Sequence, residues 1–435
     1  MISKTIIKLS EIEDNNWGAE YYHPEKLRAI KKLSKFKENV NYYFQTAKKT
    51  YSLKDDEDKI VNLQNVRYGF IDTFSPEQSK SNKKLVKQKD IIISKLRPYL
   101  KEIGYVTDEF DGSFVSTEFI ILREKIKKDE RYTLIPFLFT EDVQKILFWS
   151  QQGTNHPRFN EKVLLNIGFP DISENVKNKI KQKLEQAYGN YKKARELYKK
   201  AENILNEKLC IKKIDVNNSK TFIKSFSETL VNNRIDSEYY KPEYESYVNH
   251  IQKIGFITIK DKYLKDKNFK PKDEKRYNYI ELADIKQSLG LVESFTSAYG
   301  IDLPTRARRK VNKGDVIISS VEGSLNSSAL ILKEQDGYLC SNGFYVLNIK
   351  DSYYPEFLII LMKNKIIQSL LKKGCSGTIL TTISKEELKK IPLPNIDKES
   401  QKEVVLLVKK SNELYTNARN LLNETIAEME SKIKA

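Results

Sequence analysis

Basic side chains cluster before two short strands that the sequence predicts at equivalent places. Residues 90–94 and 315–319 are β-branched runs that begin with aspartate, a pattern typical of buried strands. The basic residues that precede them are Lys80, Lys83, Lys84, Lys87 and Lys89 in the first case, and Arg306, Arg308, Arg309, Lys310 and Lys313 in the second. Lysine and arginine beside a rigid strand can hold phosphates, and arginine can donate two hydrogen bonds to guanine. A solvated basic face would contain the same residue types, but recurrence at the same place favours binding.

Two loops that begin with glycine and threonine, at Gly153 and Gly377, lie between predicted helical stretches, before the element that leads into each long helix. Small residues there allow the backbone to approach a phosphate or a base edge. An ordinary turn between helices is the alternative. The sequence predicts DNA contacts for Lys83, Lys84, Lys95, Arg97, Tyr99, Thr154, Asn155, His156, Arg158, Arg306, Arg308, Arg309, Ser320 and Thr378. Arg158 is the sharpest of these predictions.

The sequence contains no recognisable catalytic constellation. Its three histidines, His23, His156 and His250, are scattered, and no Cys/His cluster has metal-ligand spacing. Gly-rich phosphate loops, a Gly-x-Ser-x-Gly elbow and the Asn/Asp-Pro-Pro-aromatic motif of amino-methyltransferases are also missing from the sequence. Pro170-Asp171 resembles the start of a nuclease motif, but no Glu-x-Lys follows within thirty residues. We therefore expect neither catalytic residues nor a metal site.

Two stretches carry a heptad pattern, in which apolar or small residues recur at alternating steps of four and three. This spacing predicts a helix that packs along another helix. The predicted seam residues are Ile180, Leu184, Tyr191, Ala194, Tyr198 and Leu205 in the first stretch, and Val404, Val408, Tyr415, Ala418, Leu422 and Met429 in the second. We expect the two helices to pack on each other, with Asp171 as the N-cap of the first. Two unrelated amphipathic helices are the alternative.

The heptad stretches belong to an internal repeat that covers most of the chain. Glu20-Tyr21-Tyr22 matches Glu238-Tyr239-Tyr240, residues 90–94 match 315–319, and Tyr191 matches Tyr415, at displacements of 218 to 225. Each copy mixes predicted strands with short helices, which predicts an α+β fold. The predicted domains are 1–172, a first globular domain; 173–212, the first long helix and a hinge; 213–396, a second globular domain; and 397–435, the second long helix.

Length, charge and cysteine content limit the class of protein. The chain has 435 residues, long enough for several domains, and a formal net charge of +17. That surplus favours a polyanionic partner such as nucleic acid, although a lysine-rich genome would produce the same composition. The sequence has no long apolar run and no signal-peptide pattern at its start. Because the three cysteines show no CxxC spacing, we expect free thiols and a cytoplasmic location.

Taken together, these features resemble the specificity subunit of a Type I restriction–modification system. The resemblance rests on the Glu-Tyr-Tyr-x-Pro-Glu segments, residues 90–99 (DIIISKLRPY), the two Gly-Thr loops, residues 391–394 and the two heptad helices, all in duplicated order. Members of the family often have Gly-Thr-Thr followed by Gln or Arg in the loop. The loops here have Gly-Thr-Asn and Gly-Thr-Ile, so loop-to-base roles transfer only weakly.

The resemblance implies two target-recognition domains joined by two long antiparallel coiled-coil helices with pseudo-two-fold symmetry. It also implies a non-catalytic subunit that reads a bipartite double-stranded DNA target and positions two modification subunits, with restriction subunits joining through the complex. S-adenosylmethionine, ATP and Mg²⁺ would be bound by those partners, so no cofactor is expected on this chain. The alternatives are a coiled-coil scaffold that binds only protein and a DNA-modifying enzyme with an unrecognised active site.

Overall fold

The protein forms two compact units, described by a computed structural model for residues 6–8, 12, 16–53, 59–75, 81–126 and 128–434. Unit 1 comprises Met1–Lys192 and Tyr415–Ala435, and unit 2 comprises Lys193–Leu414. Two long helices, α6 (Glu174–Lys208) and α12 (Lys398–Lys434), therefore contribute a segment to each unit. Among the described residues, no helix is long and apolar enough to cross a membrane.

Unit 1 combines short helices with two four-stranded sheets. Its helices besides the long ones are α1 (Pro24–Leu33), α2 (Val40–Tyr43), α3 (Arg131–Phe139), α4 (Glu141–Trp149) and α5 (Glu161–Leu165). Its strands are β1 (Phe44–Thr46), β2 (Thr50–Tyr51), β3 (Ile60–Val61), β4 (Val66–Arg67), β5 (Phe70–Ile71), β6 (Lys83–Leu85), β7 (Ile91–Ser94), β8 (Ile103–Tyr105), β9 (Phe114–Ser116), β10 (Phe119–Glu124), β11 (Gln151–Gln152) and β12 (Arg158–Phe159). The antiparallel sheet has the order β1-β10-β7-β8, and the second sheet has the order β2-β6-β9-β3.

Unit 2 repeats this arrangement, with one strand more among the residues that the structure describes. Its short helices are α7 (Phe226–Asn232), α8 (Pro242–Ile254), α9 (Pro355–Lys363), α10 (Lys365–Lys373) and α11 (Lys385–Lys390). Its strands are β13 (Phe256–Thr258), β14 (Arg276–Ile280), β15 (Ile285–Lys286), β16 (Leu291–Val292), β17 (Thr296–Tyr299), β18 (Ala307–Lys310), β19 (Val316–Ser319), β20 (Ala329–Leu330), β21 (Leu339–Ser341), β22 (Phe344–Leu347), β23 (Cys375–Ser376), β24 (Thr382–Ile383) and β25 (Pro392–Pro394). The orders β15-β16-β20-β19-β22 and β17-β14-β21-β18 keep β19 beside β22, as β7 lies beside β10.

The hydrophobic cores of the two units are built from matching positions. Val86, Ile92, Val106, Val115, Phe119 and Ile121 form most of one cluster, and Val311, Ile317, Ile331, Cys340, Phe344 and Val346, each 225 residues later, form the other. Cys340 thus occupies the place of Val115, and burial raises the pKa of its thiol to about 12. The predicted α+β class and internal repeat are confirmed.

The long helices pack on each other through their heptad positions. All twelve predicted seam residues are buried, with exposed fractions of 4% or less. In unit 1, Lys183 pairs with Glu424 at 2.9 Å, and the Tyr191 and Tyr415 rings lie 5.9 Å apart. The partner's number falls as the residue number rises, so these segments are antiparallel. In unit 2, the Ser411 hydroxyl donates to the Ala194 carbonyl at 2.8 Å.

Two kinds of local prediction are wrong. The apolar spacing of residues 134–148 and 354–371 predicts one amphipathic helix in each region. Each region contains two helices instead, because the backbone is extended at Thr140 and at Asn364. Asn364 accepts a hydrogen bond from the Ile366 backbone N–H, which starts a new helix there. Asp171 is not the N-cap of α6, since the helix begins at Glu174.

We expect Ala418→Asp to destabilise the protein through the helix seam. Ala418 is fully buried, and an unpaired charge in such a place costs about 3–5 kcal/mol of unfolding free energy. Ala427→Asp is the matched control, because Ala427 is exposed on the same helix and its change is expected to cost less than about 0.5 kcal/mol. Denaturant unfolding of the full chain measures both, and equal losses would contradict the seam assignment.

Candidate nucleic-acid interface

A buried aspartate fixes the start of the central strand β7 in unit 1. Asp90 is 2% exposed and accepts the backbone N–H of Lys87 at 2.8 Å. Its carboxylate also accepts hydrogen bonds from Nε and Nη2 of Arg123, at 2.8 and 2.6 Å. Three hydrogen bonds to charged or backbone donors offset the cost of burying the carboxylate.

Unit 2 holds the start of β19 by an equivalent arrangement. Asp315 is fully buried and accepts the backbone N–H of Asn312 at 2.9 Å. Asn348 donates to it at 2.5 Å and Lys265 at 2.7 Å. Asn312 and Asn348 lie 225 residues after Lys87 and Arg123 of unit 1, so the local framework recurs, with Asn348 in place of Arg123 and Lys265 as a further donor.

Strand β7 leads directly into the predicted site. Leu96 forms a β-bridge with Arg158, and the Phe159 backbone N–H donates to the Lys95 carbonyl at 3.2 Å. The loop between β11 and β12 therefore lies against the segment that follows β7. Two stretches predicted separately from the sequence, around Lys95 and around His156, are brought together on one surface.

Glu118 lies at the centre of this surface. Arg158 donates to both carboxylate oxygens, from Nε and Nη2, at 2.8 Å each. Lys95 approaches the same carboxylate to 4.0 Å. The hydrogen bonds from Arg158 hold the pKa of Glu118 below its usual range, so the pair is charged. Arg158 donates a further hydrogen bond from Nη1 to the His156 carbonyl at 2.8 Å.

The two lysines of β6, Lys83 and Lys84, donate hydrogen bonds to other residues of unit 1. Lys84 donates to the Phe119 carbonyl at 2.8 Å, and burial lowers the pKa of its amine. In unit 2, Arg309 donates to the Phe344 carbonyl, which is the same contact 225 residues later. The Lys83 side chain is buried and donates to the Ser81 hydroxyl. Lys80 lies outside the described residues.

Exposed side chains lie in the two segments of unit 1 that meet at the bridge between Leu96 and Arg158. Thr154, Asn155 and His156 are exposed, and His156 has a positive φ of 59°. Arg97 is exposed with a φ of 43°, and Tyr99 beside it is 57% exposed. This surface combines a fixed cation, a ring and small polar groups, which can contact phosphates and base edges.

The corresponding surface of unit 2 has different residues. Arg306 is exposed and donates to Glu281 at 2.9 Å, and Arg308 donates to the Thr305 carbonyl at 2.6 Å. Ser320 donates to the Gly343 carbonyl from both its backbone and its hydroxyl. The segment at Thr378 is exposed.

Equivalent backbone contacts identify the positions that differ between the units. Val321 bridges Thr382 in unit 2 as Leu96 bridges Arg158 in unit 1. Unit 2 therefore has Ser320 at the position of Lys95, Gly343 at the position of Glu118 and Thr382 at the position of Arg158. The ion pair of unit 1 has no counterpart in unit 2.

Sequence reasoning missed Glu118. A single half-buried acid carries no periodic signal, and its partner Arg158 is forty residues away. The one available clue was the repeat itself, since Glu118 aligns with Gly343 directly before the matched residues Phe119 and Phe344. Within the described residues, no group of three or more His, Cys, Asp or Glu side chains could hold a metal ion.

Three of the solved structures that align with the chain cover about nine tenths of it. One is a chain from a study of complex assembly and conformational transition of the type I restriction–modification system (16% identity, 90% of this chain, 94% of that chain, TM-score 0.28). The others are the HsdS subunit from Thermoanaerobacter tengcongensis (15% identity, 91% and 96%, TM-score 0.30) and the type I S subunit from M. genitalium (13% identity, 91% and 94%, TM-score 0.34). No protein-family model and no curated protein matches the chain.

We expect Asp90→Ala to destabilise the strand that leads into the site. The change leaves the Arg123 guanidinium and the Lys87 backbone N–H without their acceptor, at a cost of about 3 kcal/mol of unfolding free energy. Asp111→Ala removes one hydrogen bond from the Gln88 backbone N–H at an exposed site, so about 1 kcal/mol is expected. Chemical denaturation compares them, and an Asp90 variant as stable as the Asp111 variant would contradict this role.

Proposed function

We propose that this chain is a non-catalytic DNA-recognition subunit that reads a bipartite target and positions partner subunits on it. One observation carries the proposal: the two units repeat one framework but differ in the side chains that this framework presents. Asp90 and Asp315 fix equivalent strands, whereas Glu118 and Arg158 are replaced by Gly343 and Thr382. Two units that share one framework but present different side chains are suited to bind two different half-sites of one DNA target.

The charge of the chain supports double-stranded DNA as the ligand. A net charge of +17 attracts phosphates without regard to sequence. Arg97 and Lys95 are available for such contacts at the end of β7, while exposed polar groups of the loop at residues 153–158 are placed to reach base edges. Phosphate contacts would orient each unit, and the differing residues would select the bases.

The chemical steps belong, in this proposal, to partner subunits. The thiols of Cys340 and Cys375 are buried, and burial raises the pKa of each to about 12, so neither is a ready nucleophile. His23 stacks on Trp149 with ring centroids 3.7 Å apart, which gives it a packing role. Two modification subunits would bind S-adenosylmethionine, and restriction subunits with ATP and Mg²⁺ would join through them.

Selection from random duplexes tests the proposed function. The full chain, alone and with the subunits that co-purify with it, is incubated with a randomised duplex library, and the bound fraction is sequenced. We expect two short constant blocks separated by an unread gap, because each unit presents its own reading surface. Binding without sequence enrichment, or binding of partner proteins but not of DNA, would contradict the proposal and favour a scaffold.

We expect Arg97→Ala to weaken binding to all duplexes rather than to one sequence. Loss of one phosphate contact should reduce the slope of log affinity against log salt by about one unit. Lys179→Ala is the control, since Lys179 is exposed on α6 and should change the slope less. Titrations at several salt concentrations measure both, and a change confined to one sequence would assign Arg97 to base reading instead.

A further inference from the structure

The ion pair of Glu118 and Arg158 is unusual for a surface that binds a polyanion. A carboxylate there repels phosphates, whereas its two salt-bridge partners, Lys95 and Arg158, attract them. Glu118 is partly exposed, with 23% of its side chain accessible, and 43% of the Arg158 side chain is accessible. The position of Glu118 therefore needs an explanation other than affinity for DNA.

Glu118 fixes the orientation of the Arg158 guanidinium. Both carboxylate oxygens are used, in a two-point contact at 2.8 Å, and the His156 carbonyl accepts from the third nitrogen. The backbone is fixed as well, because Arg158 pairs with Gln152 on one side and bridges Leu96 on the other. The planar group is thus held on a paired strand before any ligand arrives.

The Arg158 guanidinium, oriented by Glu118, has further N–H donors that can bind a base. A guanidinium has five N–H donors, of which Glu118 takes two and the His156 carbonyl one. The remaining two N–H groups of Arg158 match the two acceptors, O6 and N7, that guanine presents in the major groove. Since the guanidinium is already oriented, little conformational entropy is lost when these two N–H groups bind guanine.

From this geometry we infer that Glu118 positions Arg158 to read one guanine in the half of the target bound by unit 1. The inference rests on the proposed function and deepens it. In unit 2, Gly343 and Thr382 stand at the equivalent places, so the same readout is not available there. Glu118 is a specificity-determining residue through Arg158, and its charge reduces binding to random DNA.

Two conservative variants test the inference in the full chain. Glu118→Gln removes the negative charge that orients the guanidinium. Arg158→Lys keeps a positive charge but removes the paired N–H donors of the guanidinium. Both are expected to lower the preference for guanine at the same position of one block by about 10- to 100-fold. The other block should stay unchanged. For Glu118→Gln, affinity for random duplexes should stay equal or rise, because a negative charge is lost.

Glu174→Gln is the matched control, since it removes a carboxylate that is 78% exposed at the start of α6. It should leave both blocks unchanged. Selection from random duplexes and thermal unfolding are measured for every variant, so that a folding defect is recognised. The Arg158→Lys variant keeps the test decisive if Glu118→Gln does not fold.

The outcomes separate this inference from the proposed function. A bipartite motif that both variants leave intact, with only a small loss of thermal stability, overturns the inference and makes the pair a surface salt bridge. A block without guanine at the affected position also overturns it. No sequence enrichment by the unchanged chain overturns the proposed function, and the inference with it.

Discussion

A buried carboxylate at the start of the central strand is the interaction on which the candidate interface of each unit depends. A carboxylate removed from water is stable only when hydrogen bonds replace its hydration, and Asp90 and Asp315 each receive three. These hydrogen bonds fix the start of each central strand, and with it the end of the strand, at Ser94 in unit 1 and at Ser319 in unit 2. The serine hydroxyl then accepts the backbone N–H two residues later at 3.1 Å, which directs the chain into the candidate interface.

The repeat distinguishes residues of the framework from residues that can select a ligand. Lys84 and Arg309 recur as basic residues at the same place, which at first favours binding. In the structure they donate to equivalent carbonyls, of Phe119 and Phe344, so their recurrence has an intramolecular cause. Their contact with DNA stays a prediction. Positions that differ between the units are better candidates for readers of sequence.

Much of the fold could be predicted from the sequence because its signals are periodic and duplicated. Heptad spacing indicates the two helices, and β-branched runs after aspartate indicate the central strands. The breaks at Thr140 and Asn364 are not visible in the apolar pattern, because a single extended residue interrupts the backbone without changing its side-chain period. Glu118 could not be found either, since the contact with Arg158 exists only after the strands β7, β10 and β12 assemble.

Stability and the proposed DNA recognition can therefore vary separately in this protein. The cores and the helix seam are buried and set the free energy of unfolding, whereas solvent-accessible ion pairs contribute little to it. The Glu118–Arg158 pair is of this accessible kind, and its carboxylate opposes the attraction of phosphates. The contact with Glu118 orients the planar guanidinium of Arg158. This orientation matters for a base edge, where two N–H donors bind two acceptors at the same time. It does not matter for a phosphate, which any lysine can neutralise.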